Sequence, residues 1–187
     1  MARHLSPNPL AAEAFLSLLD PRGIFTFQTF DDDKDRKALR LARVLHGTLT
    51  QHAAALEKLQ QQGAGAFVMI NQGDGLVHEG KKTCRDGASV IAVRALWADL
   101  DGSPLQPVIN AHHPDIIVES SPKRWHAYWL TNDCPLADFP QRQKQIAAKF
   151  AADPKVCDLP RVMRLPGFWH QKAEPFLTHM IFPKGTK

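Results

Sequence analysis

The sequence predicts an α+β domain of mixed β-sheets flanked by helices. Three observations carry that expectation. Helical stripes of apolar residues alternate along the 187 residues with short apolar runs of strand length and clusters of turn residues. The element order reads βαββ and then ββαβ, and the second unit has the order of an RNA-recognition-like (RRM-like) half. At the junction an apolar run, Val90 to Ala98, reads as one buried strand leading into Asp99 and Asp101, then Gly102 and Pro104.

Asn8 and Pro9 form a helix start, with Leu10, Ala14, Phe15, Leu18 and Leu19 as the apolar face of the helix that follows. Asp20 to Gly23 is turn chemistry, and Ile24 to Phe30, rich in aromatics and threonine, is a strand. The run Asp31 to Arg36 reads as a solvated acidic loop, and Lys37 to His46 as either a basic helix or an irregular link. Gly47 breaks the chain. Thr48 or Thr50 then caps a second helix, with Leu49, Ala53, Leu56 and Leu59 inward and Gly63 as its stop. Ala66 to Asn71 is a short buried strand. Gln72 to Ser89 is a long polar loop with Lys81, Lys82 and Arg85 at its centre, and loops of that length are often functional.

A polar-apolar segment leads to the strand Asp115 to Ser120, which turns through Ser121-Pro122-Lys123-Arg124 into the strand Trp125 to Leu130, a hairpin with a basic tip. Asp138 to Ala152 is a helix with Phe139, Ile146, Ala147 and Phe150 inward, and Phe176 to Phe182 is a last strand. The expected organisation is a single domain over 1–187. It comprises an N-terminal αβ module over 1–92, an RRM-like module over 93–183 and the start of a linker at 184–187.

Composition removes several classes. The first apolar run, Leu10 to Leu19, contains Glu13 and is too short for a membrane span or a signal, so no membrane partner is expected. Cys84, Cys134 and Cys157 share no Cys-x-x-Cys spacing, which argues against a disulfide framework or zinc knuckle and for a reducing cytoplasm. No phosphate-loop motif occurs, so the chain carries no helicase-type ATPase of its own. The formal net charge is only +4, but Ser121 to Lys187 holds eleven Lys and Arg against five Asp and Glu. A basic C-terminal third beside a carboxylate centre suits a polyanion.

The chemistry centres on Asp99 and Asp101. Alternate residues of a strand project from one face, which sets these carboxylates roughly 6–7 Å apart along the chain. Two such charges repel unless a cation lies between them, and paired divalent metals are the usual tool of phosphoryl transfer. His126 follows the basic hairpin tip, which offers hydroxyl, ammonium, guanidinium and imidazole groups to a triphosphate. Arg161 and Arg164, three apart in a Pro-bounded segment, can clamp phosphates.

Three ordered segments now coincide: Ala-Asp-Leu-Asp-Gly at 98–102, Val-Glu-Ser-Ser-Pro-Lys-Arg-Trp-His-Ala-Tyr-Trp at 118–129, and Cys-Asp-Leu-Pro-Arg-Val-Met-Arg-Leu-Pro-Gly-Phe at 157–168. Together they resemble the RepB-like DNA primase domain of plasmid and phage replication proteins, within the archaeo-eukaryotic primase superfamily, from about Ile24 to Phe182. The resemblance implies an archaeo-eukaryotic primase-like fold. It implies a metal-dependent DNA primase or primase-polymerase, making primers on single-stranded DNA from NTPs or dNTPs in phage, plasmid or mobile-element replication. Asp99, Asp101 and Asp158 would be the catalytic acids and the ligands of two Mg²⁺ or Mn²⁺ ions. His126, with Lys123, Arg161 and Arg164, would bind the nucleotide. A helicase, or a C-terminal helicase domain beyond this chain, would be a partner. The chain departs from the pattern in two places: Pro-Lys-Arg-Trp separates Ser121 from His126, and Cys157 is a weak hydrophobe before Asp158. The competing readings are a replication-initiator nicking domain, using Tyr128 with His112 and His113, and a non-catalytic RRM-like nucleic-acid-binding module.

Overall fold

The computed structural model describes residues 5–181, which form two four-stranded antiparallel sheets with helices and a long loop packed about them. The first helix, α1 (Pro9–Leu19), starts where expected: Asn8 Oδ1 accepts from the Ala11 N–H. Its buried stripe is a different one. Ala12, Phe15, Leu16 and Leu19 face the core, whereas Leu10 is 76% exposed and Ala14 and Leu18 also face solvent. The set starting at Ala12 follows the i, i+3, i+4, i+7 rule and puts Phe15 and Leu16 inside together.

Strand β1 (Phe25–Asp31) is followed by a 3-10 turn, Leu39–Leu41, and strand β2 (Arg43–Gly47), which resolves the ambiguous basic segment as a 3-10 turn leading into a strand. Thr29 fixes that turn, its hydroxyl donating to Leu41 O and accepting from the Arg43 N–H. Helix α2 (Leu49–Gln61) opens with a reciprocal cap between Thr48 and Gln51. It stops before Gly63, whose φ of +94° suits a residue without a Cβ.

After β3 (Ala64–Met69) come β4 (Gln72–Gly73), β5 (Val90–Ala92) and β6 (Ala95–Leu100). The single strand expected from Val90 to Ala98 is therefore two strands in separate sheets. Arg94 causes the break. A guanidinium cannot be buried unpaired, and the chain turns at Val93-Arg94 so that it meets Asp20 Oδ2 at 2.7 Å and Ile24 O at 2.8 Å.

Helix α3 (Gln106–Ala111) was not expected, because six residues are too few to display a helical period. The hairpin β7 (Ile116–Ser121) and β8 (Arg124–Leu130) and the helix α4 (Phe139–Phe150) lie as expected. Strands β9 (Val162–Arg164), β10 (Trp169–His170), β11 (Phe176–Leu177) and β12 (His179–Ile181) complete the chain. The last expected strand is interrupted at Thr178, whose N–H donates to Phe168 O. Phe182 and the expected linker at 184–187 lie outside the described residues.

The first sheet has the order β2-β1-β3-β9 and the second β12-β7-β8-β6. The run β6-β8-β7 matches three strands of an RRM-like unit. The segment after α4 runs beside β6 without a ladder: Asp153 N–H donates to Asp99 O, and Trp97 Nε1–H donates to Val156 O. Strand β9 then crosses to pair with β3, so the second half of the chain completes the first sheet. One core lies between the sheets around Phe15, Phe27, Trp97 and Tyr128, and a second lies on the other face of β6 and β8, around Leu100, Ala127 and Trp129. Among the described residues no helix is long and apolar enough to cross a membrane.

Candidate active site

Strand alternation positions the site. On β6, Ala95 and Trp97 enter the inter-sheet core, while Ala98 and Leu100 enter the core beside α4. Asp99 and Asp101 continue the Trp97 face to where that core opens. On β8, Tyr128 belongs to the inter-sheet core, and His126 and Arg124 continue its face outward. Asp99 and His126 are direct cross-strand neighbours. The opening is a cleft of about 500 Å³, walled by Asp99, Asp101, Arg124 and His126 from the second sheet and by Arg164 from the first. Ser120 and Ser121, Lys34, and the β10–β11 turn with His170, Lys172 and Glu174 complete its walls.

Burial pushes the Asp99 carboxyl up to about 6; Asp153 adds to that, while Arg161 and Arg124 pull it back. Burial also dominates at His126, helped by Arg164 and His170, and pushes its imidazole down to about 3. His126 is therefore neutral at pH 7. Its Nδ1 lies 3.2 Å from the hydroxyl of the fully buried Tyr128, and its Nε2 lies 3.7 Å from Asp99 Oδ1. Tyr128 donating to Nδ1 puts the ring proton on Nε2, facing the cleft, which is the tautomer that satisfies both neighbours.

The expected residues are only partly gathered. Asp99, Asp101, His126 and Arg164 line the cleft. Arg164 is committed to Asp32, making a buried two-pronged pair at 2.8 and 2.7 Å, and it stacks 4.4 Å over the Phe67 ring. The acidic run is thus not uniformly solvated: Asp32 is buried and Asp31 is paired with Arg36. Asp158 does not join Asp99 and Asp101 in a cluster; Arg161, three residues on, takes its carboxylate. Among the described residues no three or more His, Cys, Asp or Glu gather as a metal-holding group. Lys123 caps the hairpin at φ +62°, exposed and outside the cleft walls.

Sequence reasoning passed over Arg124 in favour of Lys123, although period two from His126 selects Arg124, which here pairs with Asp101. Lys34, His170 and Lys172 carried no local signal. They come from the loop after β1, from β10 and from the β10–β11 turn, which only the fold brings to the cleft. Burial and Arg164 push the Lys172 ammonium down from its ordinary value, the mark of a cation among cations.

Residues 32–179 match the RepB DNA-primase N-terminal domain. The chain belongs to that family. It is a replication primase domain, a DNA-directed nucleotidyltransferase. Among solved structures it is similar to the archaeo-eukaryotic primase domain of the primase-polymerase of cyanophage S-2L, at 20% identity and a TM-score of 0.73, over 97% of this chain and 94% of that one. It is also similar to the primase RepB′, at 18% identity and a TM-score of 0.67, over 95% of this chain and 57% of that one. The catalytic domain of RepB′ in complex with initiator DNA matches at 18% identity and a TM-score of 0.62, over 94% and 86%. No curated protein matches the chain. The α+β fold expected from the sequence is that of these primase domains.

The primase cleft suits a hard divalent cation. Burial raises the Asp99 carboxyl although Arg161 and Arg124 pull it back, so a cation placed beside it would favour its ionised form. Mg²⁺ is commonly held by one or two carboxylates together with substrate phosphates, so Asp99 and Asp101 are a sufficient protein donor set. The nicking reading lacks its nucleophile, since Tyr128 is fully buried behind His126.

Proposed function

We propose that this primase domain is a metal-dependent primase-polymerase that builds primers from NTPs or dNTPs on single-stranded DNA during plasmid, phage or other mobile-element replication. One observation carries the reading. Two alternating carboxylates at the end of β6 share a cleft with a neutral histidine and five cationic or basic side chains: Lys34, Arg124, Arg164, His170 and Lys172. Such a wall matches a triphosphate bound over metal.

Asp99 and Asp101 would hold Mg²⁺ or Mn²⁺, and Asp158, which Arg161 engages, would join them as a third acid only where that ion pair opens. When bound, the cation supplies Lewis-acid activation of the attacking 3′-hydroxyl and neutralises charge on the leaving pyrophosphate. His126 donates its Nε2 proton to a phosphate oxygen as a neutral group, and Tyr128 keeps that proton on Nε2. Arg124, which pairs with Asp101 in the cleft wall, would with Lys34 and Lys172 neutralise the triphosphate. Arg164, held by Asp32, acts as a rigid wall and a fixed positive charge. The test is incubation with single-stranded DNA, labelled ATP or dATP, the other nucleotides, and Mg²⁺ or Mn²⁺, followed by sizing of the products. Template-dependent, metal-dependent oligomers support the reading; a ladder identical without template or metal overturns it.

A further inference from the structure

The long loop between β4 and β5 contributes a side chain that neither the cores nor the cleft uses. Arg85 Nε is the one buried side-chain nitrogen or oxygen among the described residues with no hydrogen-bond partner. The rest of the Arg85 guanidinium also makes no ion pair within the described residues. A donor stripped of water without an acceptor is destabilising, and folds keep such groups where something else satisfies them. Arg85 is not idle packing either. Its guanidinium sits 5.8 Å over the Phe30 ring, Phe30 meets Phe67 edge-on at 5.4 Å, and Arg164 covers Phe67 at 4.4 Å. Phe30, Phe67 and Arg164 project from one face of the first sheet, the face opposite the inter-sheet core. The row therefore leads from Arg85 directly to the wall of the catalytic cleft, which Arg164 lines.

Burial pushes the Arg85 guanidinium down from its ordinary value, Arg161 adds to that, and the charges of Asp158 and Asp86 pull it back up. Asp158 is already engaged by Arg161. Arg161 in turn lies close enough to Asp99 to pull its carboxyl down. Arg85 and Arg161 thus share the field of one carboxylate, and the Arg85 Nε donor is still without an acceptor among the described residues.

We propose that Arg85, with Arg161, binds the sugar-phosphate backbone of the single strand that enters the catalytic cleft. This rests on the primase-polymerase reading of the cleft. A phosphate could come from the strand or from the incoming nucleotide. The strand is the source here, because Arg85 lies outside the residues that wall the cleft around Asp99 and Asp101.

The experiment uses the full chain and a fluorescein-labelled oligodeoxythymidine, with binding followed by anisotropy across a potassium chloride series. Nucleotide KM is measured in parallel. Arg85→Ala should weaken strand binding about tenfold and lower the slope of log affinity against log salt by about 0.7, one phosphate contact on a single strand. Arg85→Met, which keeps an unbranched stem over Phe30 and removes the unpartnered donor, should do the same with a urea midpoint no lower than the parent's. Arg85→Lys should restore the slope. Nucleotide KM should stay within about twofold of the parent. Strand affinity and slope unchanged in both the Ala and Met variants would overturn the proposal, as would a raised nucleotide KM with normal strand binding. A parent that binds the strand through Arg85 yet incorporates no nucleotide keeps this site and removes the polymerase reading. A parent that incorporates nucleotide while the Ala variant binds normally does the reverse.

Discussion

Replacing Asp99 with asparagine should end nucleotide incorporation and yet make the metal-free protein more stable at neutral pH. The reason is the burial that suits this carboxyl to a cation. In the unfolded chain its pKa is 3.8, and in the folded chain burial raises it to about 6. The folded state therefore binds the proton more tightly. Its contribution favours folding fully below about pH 4 and is lost as the pH rises through about 6. The gap corresponds to about 3 kcal/mol, an upper bound because some water still reaches the group, whose side chain is 21% exposed. Asp99→Asn keeps the shape and removes the ionisation, so it should unfold at higher urea than the parent near neutral pH, by up to about 3 kcal/mol. The difference should vanish near pH 4. The titration of His126 is common to both proteins and cancels in the comparison. Adding Mg²⁺ or Mn²⁺ should raise the parent's midpoint and leave the variant's nearly unmoved. Equal urea midpoints for parent and variant at neutral pH without metal, with equal slopes, would refute the reasoning.

Other expectations follow from particular contacts. Arg124→Ala should raise the nucleotide KM several-fold while Lys123→Ala leaves it at the parent value; steady-state kinetics showing the reverse would return the tip lysine to the site. Arg94→Met should destabilise by about 3–5 kcal/mol, because Asp20, held down at about 2 against its burial by Arg22 and Arg94, would lose its buried partner. A urea midpoint shift of under about 1 kcal/mol would show that Arg22 alone suffices for Asp20. Gly65→Ala should destabilise by a few kcal/mol, since a Cβ there would lie 2.1 Å from Arg164 Nη1 and 2.6 Å from Asp32 Oδ1. A variant with parental stability would mean that this ion pair can shift freely. His126→Gln should make stability fall less as the pH drops. The native ring must stay neutral down to about 3 while the unfolded ring protonates near 6.5, so its stabilisation is present above 6.5 and lost below it. Urea titrations across that range with the parent's slope would count against a buried neutral ring.

The sequence by itself determined the parts of this protein that depend on neighbours along the chain. The Asn8 and Thr48 caps, the β7–β8 hairpin, α4, and the alternation that turns Asp99 and Asp101 one way follow from local backbone geometry, and all are present. His126 was legible for the same reason, and Arg124 was legible by the same alternation but passed over. Tertiary structure decided whatever depends on which distant groups meet. The break at Arg94 exists because Asp20 lies 74 residues away in sequence but 2.7 Å away in space. Asp32 left the solvent because β9 crosses to the first sheet and delivers Arg164, 132 residues further on. His170 and Lys172 reach the cleft only through that crossing, Lys34 enters it from the loop after β1, and Arg161, three residues on, holds Asp158. Backbone periodicity encodes which way a side chain points; Coulombic pairing and burial, which act across the whole fold, decide what it meets there.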